Sequence, residues 1–339
     1  MAADRDGWMR IPELDAVRGF AVGGAVIAQT WQVTGVPGTI APGVWDPMRR
    51  LLGVLAEGCF LPIFAVLFGL TFAMVADTAA ARGERAWLVS ARRVAALGVL
   101  GLLHQLFQPG EALLPYALVG LVVLLPAAAL PRWGVLLVGL AATVGAALTL
   151  GDGFGLVPGL FLLGMAGARY GVVESLRARP WLVALVFALA LPAAVLAGEW
   201  EFRTPYLDMA SSAPAVAGVL GGLVYATGLL LLLRTGFGAP VGEVLRPMGR
   251  MALSNYLGAT VLILAADALL RLSDANSYGA LLLLAMVIIV TQAVVSTVWL
   301  RWLRYGPVEW LWRCVTWWEW VPVWQRPPRS ASLGLPHLG

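Results

Sequence analysis

The sequence predicts an all-α, polytopic membrane protein with about ten transmembrane helices and both termini cytoplasmic. Three observations predict it. The 339 residues are 60% hydrophobic and only 12% charged, about half the charged share of a soluble domain. Apolar runs long enough to cross a bilayer recur from one end to the other. The basic residues, all 23 of them arginine, cluster on alternate loops in the manner that sets membrane orientation.

Ten spans follow from the hydropathy: 16–34, 57–77, 88–107, 111–130, 132–150, 154–173, 180–198, 212–234, 250–271 and 277–303. The turns after spans three, four and five contain Gln108-Pro109-Gly110, Pro131 and Gly151-Asp152, which suit tight connections. Spans five and six are rich in Gly and Pro, so re-entrant segments are an alternative there. With a cytoplasmic N-terminus, Arg49, Arg50, Arg203 and Arg271 fall outside and the other 19 arginines inside, as the positive-inside rule requires. Residues 1–325 form a single transmembrane helical domain, and 326–339, with its Pro and Ser, is a mobile tail. Two segments lie beside the spans. Pro42 to Glu57 reads as an amphipathic helix on the outer face. Trp310 to Trp324 carries six tryptophans and fits a helix in the inner headgroup layer.

The first span, Leu14 to Trp31, holds the densest set of signals. No small-residue cleavage site follows it, so it reads as a retained helix rather than a signal peptide. Asp15 and Arg18 are three apart and share a helix face. Gln29 follows Arg18 by eleven residues, on the same stripe roughly 16 Å further along. Gly19 and Gly23 form a GxxxG notch that lets a second helix come close. Polar groups facing lipid are costly, so this helix lines a cavity.

Depth along the spans sorts the remaining polar residues into two sets. Gln29, Glu57, His104, Glu111 and Asp267 all fall towards the outer side. His104 beside a carboxylate is the usual equipment of a general base; the alternative is a histidine that only bonds a neighbouring helix. Asp15, Arg18, Arg92, Arg93, Arg250, Asn255 and Arg313 fall on the inner side, where arginines grip phosphates bidentately. The alternative is positive-inside anchoring, which is the reading for Arg92, Arg93 and most loop arginines. Glu309 and Arg313 are four apart and can pair on one turn as a helix clamp. Cys59 and Cys314 fall on opposite sides, too far apart to bridge. With one histidine in the tail, no metal-ligand cluster is expected. The net charge of +4 comes from arginines at helix ends and does not point to nucleic acid.

Five stretches, LDAVRGFAV, FAVLFGLTF, GLLHQLFQPGEALLPYALVGL, GRMALSNYL and YGPVEWLWR, together resemble the bacterial YeiB-like family, a membrane domain of unknown function. The resemblance covers nearly the whole chain. It implies membership of the wider transmembrane acyltransferase superfamily, with the heparan-glucosaminide and sugar O-acetyltransferases. It further implies a multi-pass protein of the inner (plasma) membrane, a cytosolic acyl-CoA donor as co-substrate, and a hydroxyl acceptor reached from the opposite face. In the sugar O-acetyltransferases the arginine matching Arg18 is followed eleven residues on by a functional histidine. Here that position is Gln29, which cannot act as a base, so His104 is the intramembrane candidate.

The resulting expectation is a membrane O-acyltransferase. His104, tuned by Glu111 or Glu57, takes the acceptor's proton. Gln29 positions the thioester carbonyl or the acceptor. Arg18, Asp15, Arg250, Asn255 and Arg313 hold the donor at the inner mouth. Its partners are membrane lipids, acyl-CoA and a sugar, lipid headgroup or secondary metabolite bearing the hydroxyl, with a homodimer left open. A transporter or flippase using the same cavity without chemistry is the alternative, and a non-catalytic partner of a neighbouring membrane enzyme is a third.

Overall fold

A computed structural model describes residues 11–41, 44–149, 153–204, 211–275 and 277–324. The mobile tail expected at 326–339, and Gly151-Asp152 in the turn after span five, lie outside the described residues.

The described chain is nearly all helical. The first helix, α1 (Pro12–Thr34), ends where Gly35 takes a φ of +68°, its N–H closing on the Trp31 carbonyl, the left-handed stop that glycine adopts without strain. A two-stranded hairpin, β1 (Thr39–Ala41) and β2 (Val44–Trp45), follows. Helix α2 (Pro47–Ala81) then runs for 35 residues. The Asp46 carboxylate caps its first turn, accepting from the Met48 and Arg49 N–H groups. The chain continues as α3 (Ala86–His104), the shorter α4 (Leu113–Ala127) and α5 (Arg132–Thr149). Next come α6 (Phe154–Arg169) and α7 (Val172–Ala178), bent by 62° where they meet. Helices α8 (Pro180–Arg203), α9 (Ala213–Leu232), α10 (Gly238–Arg250) and α11 (Ala252–Leu270) follow, and then a single turn, α12 (Leu272–Ala275). The last two are α13 (Tyr278–Trp302) and α14 (Pro307–Trp317).

Among the described residues seven helices are long and apolar enough to cross a membrane, or up to eight if the bent α6–α7 pair is one span. Helix α1 has the length but carries Glu13, Asp15 and Arg18. Helix α4 is short for a crossing.

Three readings of the sequence are corrected. The amphipathic helix expected over 42–57 does not stand apart: 42–43 lie outside the described residues, 44–45 belong to the hairpin, and 47–57 are the start of α2, joined to the rest by a π-helical turn over Gly53–Glu57. Pro62 in that helix has no N–H to give back along the ladder. The uninterrupted apolar run follows Glu57, so hydropathy started the span at Glu57. Helix α10 was not anticipated, because its apolar and charged residues alternate too closely for a span. It packs along α1. The GxxxG notch is also used differently. Gly19 faces the Leu245 carbonyl and Gly249 faces the Asp15 carbonyl, so α1 and α10 cross with their backbones in contact. Gly23 meets only Ile289 at van der Waals distance, while Gly24 receives the Phe60 ring.

The apolar core between α2, α3, α4 and α6 is built on Phe72, Leu97, Tyr116, Leu160 and Phe161, all buried. Phe68 stacks on Phe161 with ring centroids 4.8 Å apart. A smaller cluster joins α1, α2 and α9 through Val17, Ala21, Phe60, Ile63 and Leu229.

Gly19→Ala and Gly249→Ala are expected to destabilise the fold by about 1–3 kcal/mol each, because a methyl group there has nowhere to go but into backbone. Gly23→Ala should be neutral. Melting of the purified variants in one detergent distinguishes the two cases; a tolerated Gly19→Ala would refute the α1–α10 crossing.

Candidate functional site

A cavity of about 780 Å³ runs through the centre of the bundle. Its two ends differ chemically. One is lined by Asp15, Arg18, Arg93, Arg250, Arg304 and Arg313, the other by Gln29, Gln108, Glu111 and Tyr256. Between them the wall is apolar, with Phe60, Phe64, Leu67 and Phe68.

The arginine end is built from α1 and α3, the last residue of α10, and the stretch from Arg304 into α14. Arg18 on α1 donates to Asp15 at 3.3 Å. Arg93 on α3 lies 4.1 Å from the Trp312 ring centre, and Trp312 donates its indole N–H to the Arg93 carbonyl at 2.8 Å. The like charges of Arg18 and Arg313 both act on Arg93. Arg250 donates to the Arg304 carbonyl at 2.9 Å, and Arg313 sits 4.8 Å over the Tyr305 ring. Among the described residues five guanidinium groups share this wall, and Asp15 is ion-paired with one of them, Arg18. Such fork-shaped donors suit a phosphate or carboxylate.

A second carboxylate at this end, Glu309, is already engaged. It accepts from the backbone N–H of Leu253 at 2.6 Å and of Ser254 at 2.9 Å, and from the Ser254 hydroxyl. Those two amides belong to the first turn of α11, which has no side-chain cap of its own. Ser254 in turn accepts from the Val308 N–H, in the first turn of α14, at 3.1 Å. The two helix N-termini thus meet on one carboxylate, which satisfies donors that neither helix can satisfy alone. Glu309 reaches across to α11 rather than serving only as the i,i+4 partner of Arg313 that its spacing suggested. Burial pushes the Glu309 carboxyl above the usual carboxylate range, and its hydrogen bonds to Ser254 and Leu253 oppose the rise without cancelling it.

The other end is a hydrogen-bonded network of buried side chains. His104, at the last turn of α3, faces Glu111 Oε2 at 3.5 Å through Nδ1 and the Thr260 hydroxyl at 3.0 Å through Nε2. Thr260 on α11 donates to Gln108 Oε1 at 2.8 Å. Gln29 on α1 donates to Gln108 Oε1 at 3.2 Å, to Thr260 Oγ1 at 3.3 Å and to the Tyr256 carbonyl at 3.4 Å. Glu111 caps α4, accepting from the Leu113 N–H at 2.6 Å and the Leu114 N–H at 2.7 Å. Hydrogen bonds to a charged group are worth roughly 1.5–3 kcal/mol each. These, with His104, offset the several kcal/mol that burial of a carboxylate costs. Glu111 faces the cavity, and His104 stands behind Glu111 and Thr260, outside its lining.

The structure thus places Gln29, His104 and Glu111 together and separates two residues from the groups assigned to them. Glu57 lines the cavity but pairs with Arg49 at 2.6 Å, so it is Glu111 and not Glu57 that faces His104. Asn255 lies outside the cavity lining; its amide donates to Ser296 Oγ at 3.0 Å and to the Met248 carbonyl at 3.2 Å, which ties α11 to α13. Asp267 accepts from the Ser273 N–H at 2.8 Å and closes a turn. Cys59 and Cys314 are both free thiols. Among the described residues no three His, Cys, Asp or Glu side chains come together as a metal site.

Sequence reasoning missed Gln108 and Thr260, and read Arg93 as positive-inside anchoring although it lines the cavity. Gln108 stands beside a Pro-Gly turn and reads as loop. Thr260 is a lone hydroxyl in an apolar helix, where back-bonding to the preceding turn is the ordinary expectation. Arg93 did leave a signal: it precedes His104 by eleven residues, the same interval as Arg18 to Gln29.

The family described as "Protein of unknown function (DUF418)" matches residues 168–319. Over 333 aligned residues the chain is 30% identical to an "Uncharacterized 39.9 kDa protein in amylase 3'region" of Bacillus acidopullulyticus, covering 93% of this chain and 96% of that one. It is 28% identical to "Uncharacterized protein YeiB" of Escherichia coli (strain K12), over 89% of this chain and 95% of the relative. No solved structure matches the chain.

Because Glu309 holds its proton more tightly folded than unfolded, its contribution to stability is full below the unfolded value near 4.5. That contribution is lost as pH rises through the raised folded value. The melting-temperature advantage of the wild type over Glu309→Gln should therefore narrow as pH is raised; an advantage that widens would contradict the raised carboxyl.

Proposed function

The chain belongs to the YeiB-like family, and on that premise we propose that it is an integral membrane acyltransferase, moving an acyl group from acyl-CoA to a hydroxyl acceptor. One observation carries the reading: a single cavity joins an arginine-lined end to a buried carboxylate–histidine pair. A donor with a phosphate-bearing head and a reactive far end has, in one cavity, groups suited to each.

In this reading Arg18, Arg93, Arg250 and Arg313 bind the donor's phosphates through paired N–H groups. Arg18 to Gln29 spans roughly 16 Å of helix, the distance over which the donor's arm extends. At the far end the acceptor's oxygen forms a bond to the thioester carbonyl carbon and the C–S bond breaks. The hydroxyl proton passes to the Glu111–His104 pair and returns to the departing thiolate. Glu111 meets the substrate, and His104 is the positioning partner behind it. Membrane lipids surround the domain. Ten crossings with both termini cytoplasmic, the orientation the arginine distribution favours, put the arginine end on the donor's side of the inner (plasma) membrane. The acceptor then arrives from the outer half.

A second reading, a transporter or flippase for a lipid or small molecule, has one observation in its favour: His104 is not on the cavity wall. A transporter uses such a residue only to hold the wall's shape, and His104→Gln would then leave its activity intact.

Binding of acyl-CoA to the purified protein in lipid nanodiscs tests the main reading. Arg18→Gln and Arg93→Gln should each weaken it by about 10-fold or more, the worth of a charge-assisted hydrogen bond. Glu111→Gln should leave donor binding within a few-fold while abolishing transfer to added alcohols. Absence of donor binding by the wild type would remove the acyltransferase assignment.

A further inference from the structure

Gln29 is 1% exposed and lines the cavity, yet only half of its amide is used. Its Nε2 faces three acceptors, Gln108 Oε1, Thr260 Oγ1 and the Tyr256 carbonyl, so both amide hydrogens are committed. Its Oε1 accepts no hydrogen bond among the described residues. The amide cannot be turned over to cure this, because the Tyr256 carbonyl has no hydrogen to give and would then face an oxygen. A buried acceptor left unmet costs about 1–3 kcal/mol, and the surrounding network has the donors to prevent it if the site were meant to be closed.

We infer that Gln29 Oε1 is the receiving atom of a substrate subsite, and that it accepts a hydrogen bond from an uncharged hydroxyl carried on an apolar body. Three features select that chemistry. A carbonyl, including a thioester carbonyl, offers no hydrogen, so the role of orienting the thioester is excluded for Gln29. An ammonium group would be far more costly to desolvate than a neutral hydroxyl in a cavity walled by apolar side chains. The wall leading to the subsite is apolar, with Phe60, Phe64, Leu67 and Phe68, which suits a hydrocarbon body better than a polyol. The inference deepens the acyl-transfer reading, since it names the group the acceptor presents, but the subsite holds equally in a protein that only carries an alcohol across.

The test uses trifluoroethanol and its methyl ether as probes of intact protein in nanodiscs, followed by fluorine NMR, with empty nanodiscs to subtract partitioning into lipid. The wild type should bind the alcohol about tenfold more tightly than the ether, the worth of one such hydrogen bond. In Gln29→Met that preference should fall to parity with ether binding unchanged. Equal binding of both probes by the wild type would overturn the inference without any variant, and so would a preference that survives in Gln29→Met. Melting of the unliganded variant reports whether it is folded. No acyl donor is present, so a protein that fails to bind acyl-CoA but still separates alcohol from ether keeps the subsite and loses only the acyltransferase assignment.

Discussion

Polar side chains inside an apolar bundle must satisfy one another, because neither lipid nor hydrocarbon side chains will. In this chain that constraint organises three helices. Helices α1 and α3 each carry an arginine near the start and a hydrogen-bonding side chain eleven residues on, Arg18 with Gln29 and Arg93 with His104. Helix α11 follows Arg250 and supplies Thr260. Arg18, Arg93 and Arg250 fall at one end of the cavity, and Gln29, Glu111 and Tyr256 at the other. The cavity between is the consequence: polar faces on three helices cannot be buried against apolar neighbours without loss.

The rest of the fold holds these helices in register. The glycine contact between Gly19 and Gly249 brings α10 against α1 with no side chain between them, which leaves the opposite face of α1 open to the cavity. Glu309 joins the starts of α11 and α14, so the helix that carries Arg313 is tied to the helix that carries Thr260. The stacking of Trp312 on Arg93 fastens α14 to α3. Each contact links one polar end of the site to the frame through a backbone group or a ring, neither of which tolerates much displacement.

The division of labour at the His104 end follows from burial. Glu111 and Gln29 are on the wall; His104 and Thr260 stand behind them. A side chain in the outer layer can touch a ligand, and one behind it can only set the orientation and proton content of what does. Residue type alone suggested the reverse, because histidine is the familiar base and a carboxylate its familiar partner. Glu57 was the other candidate for that partnership, and Arg49 occupies it.

Hydropathy, which sums over many residues, was enough to identify a helical bundle with membrane-length segments, and helical spacing was enough to put Asp15, Arg18 and Gln29 on one face. Those features are local: they depend on a rise of about 1.5 Å per residue and a period of 3.6. The sequence by itself also marked the two chemical ends, since charge must gather where helices begin and end. Tertiary structure alone decided which helices are neighbours, and therefore that Gln108 and Thr260 complete the network, that Asn255 leaves it for Ser296, and that α10 exists to pack on Gly19. The physical reason is that depth in a membrane is a one-dimensional quantity readable along the chain, whereas lateral contact is settled by close packing between segments hundreds of residues apart, such as the Gln29 amide and the Thr260 hydroxyl 231 positions later.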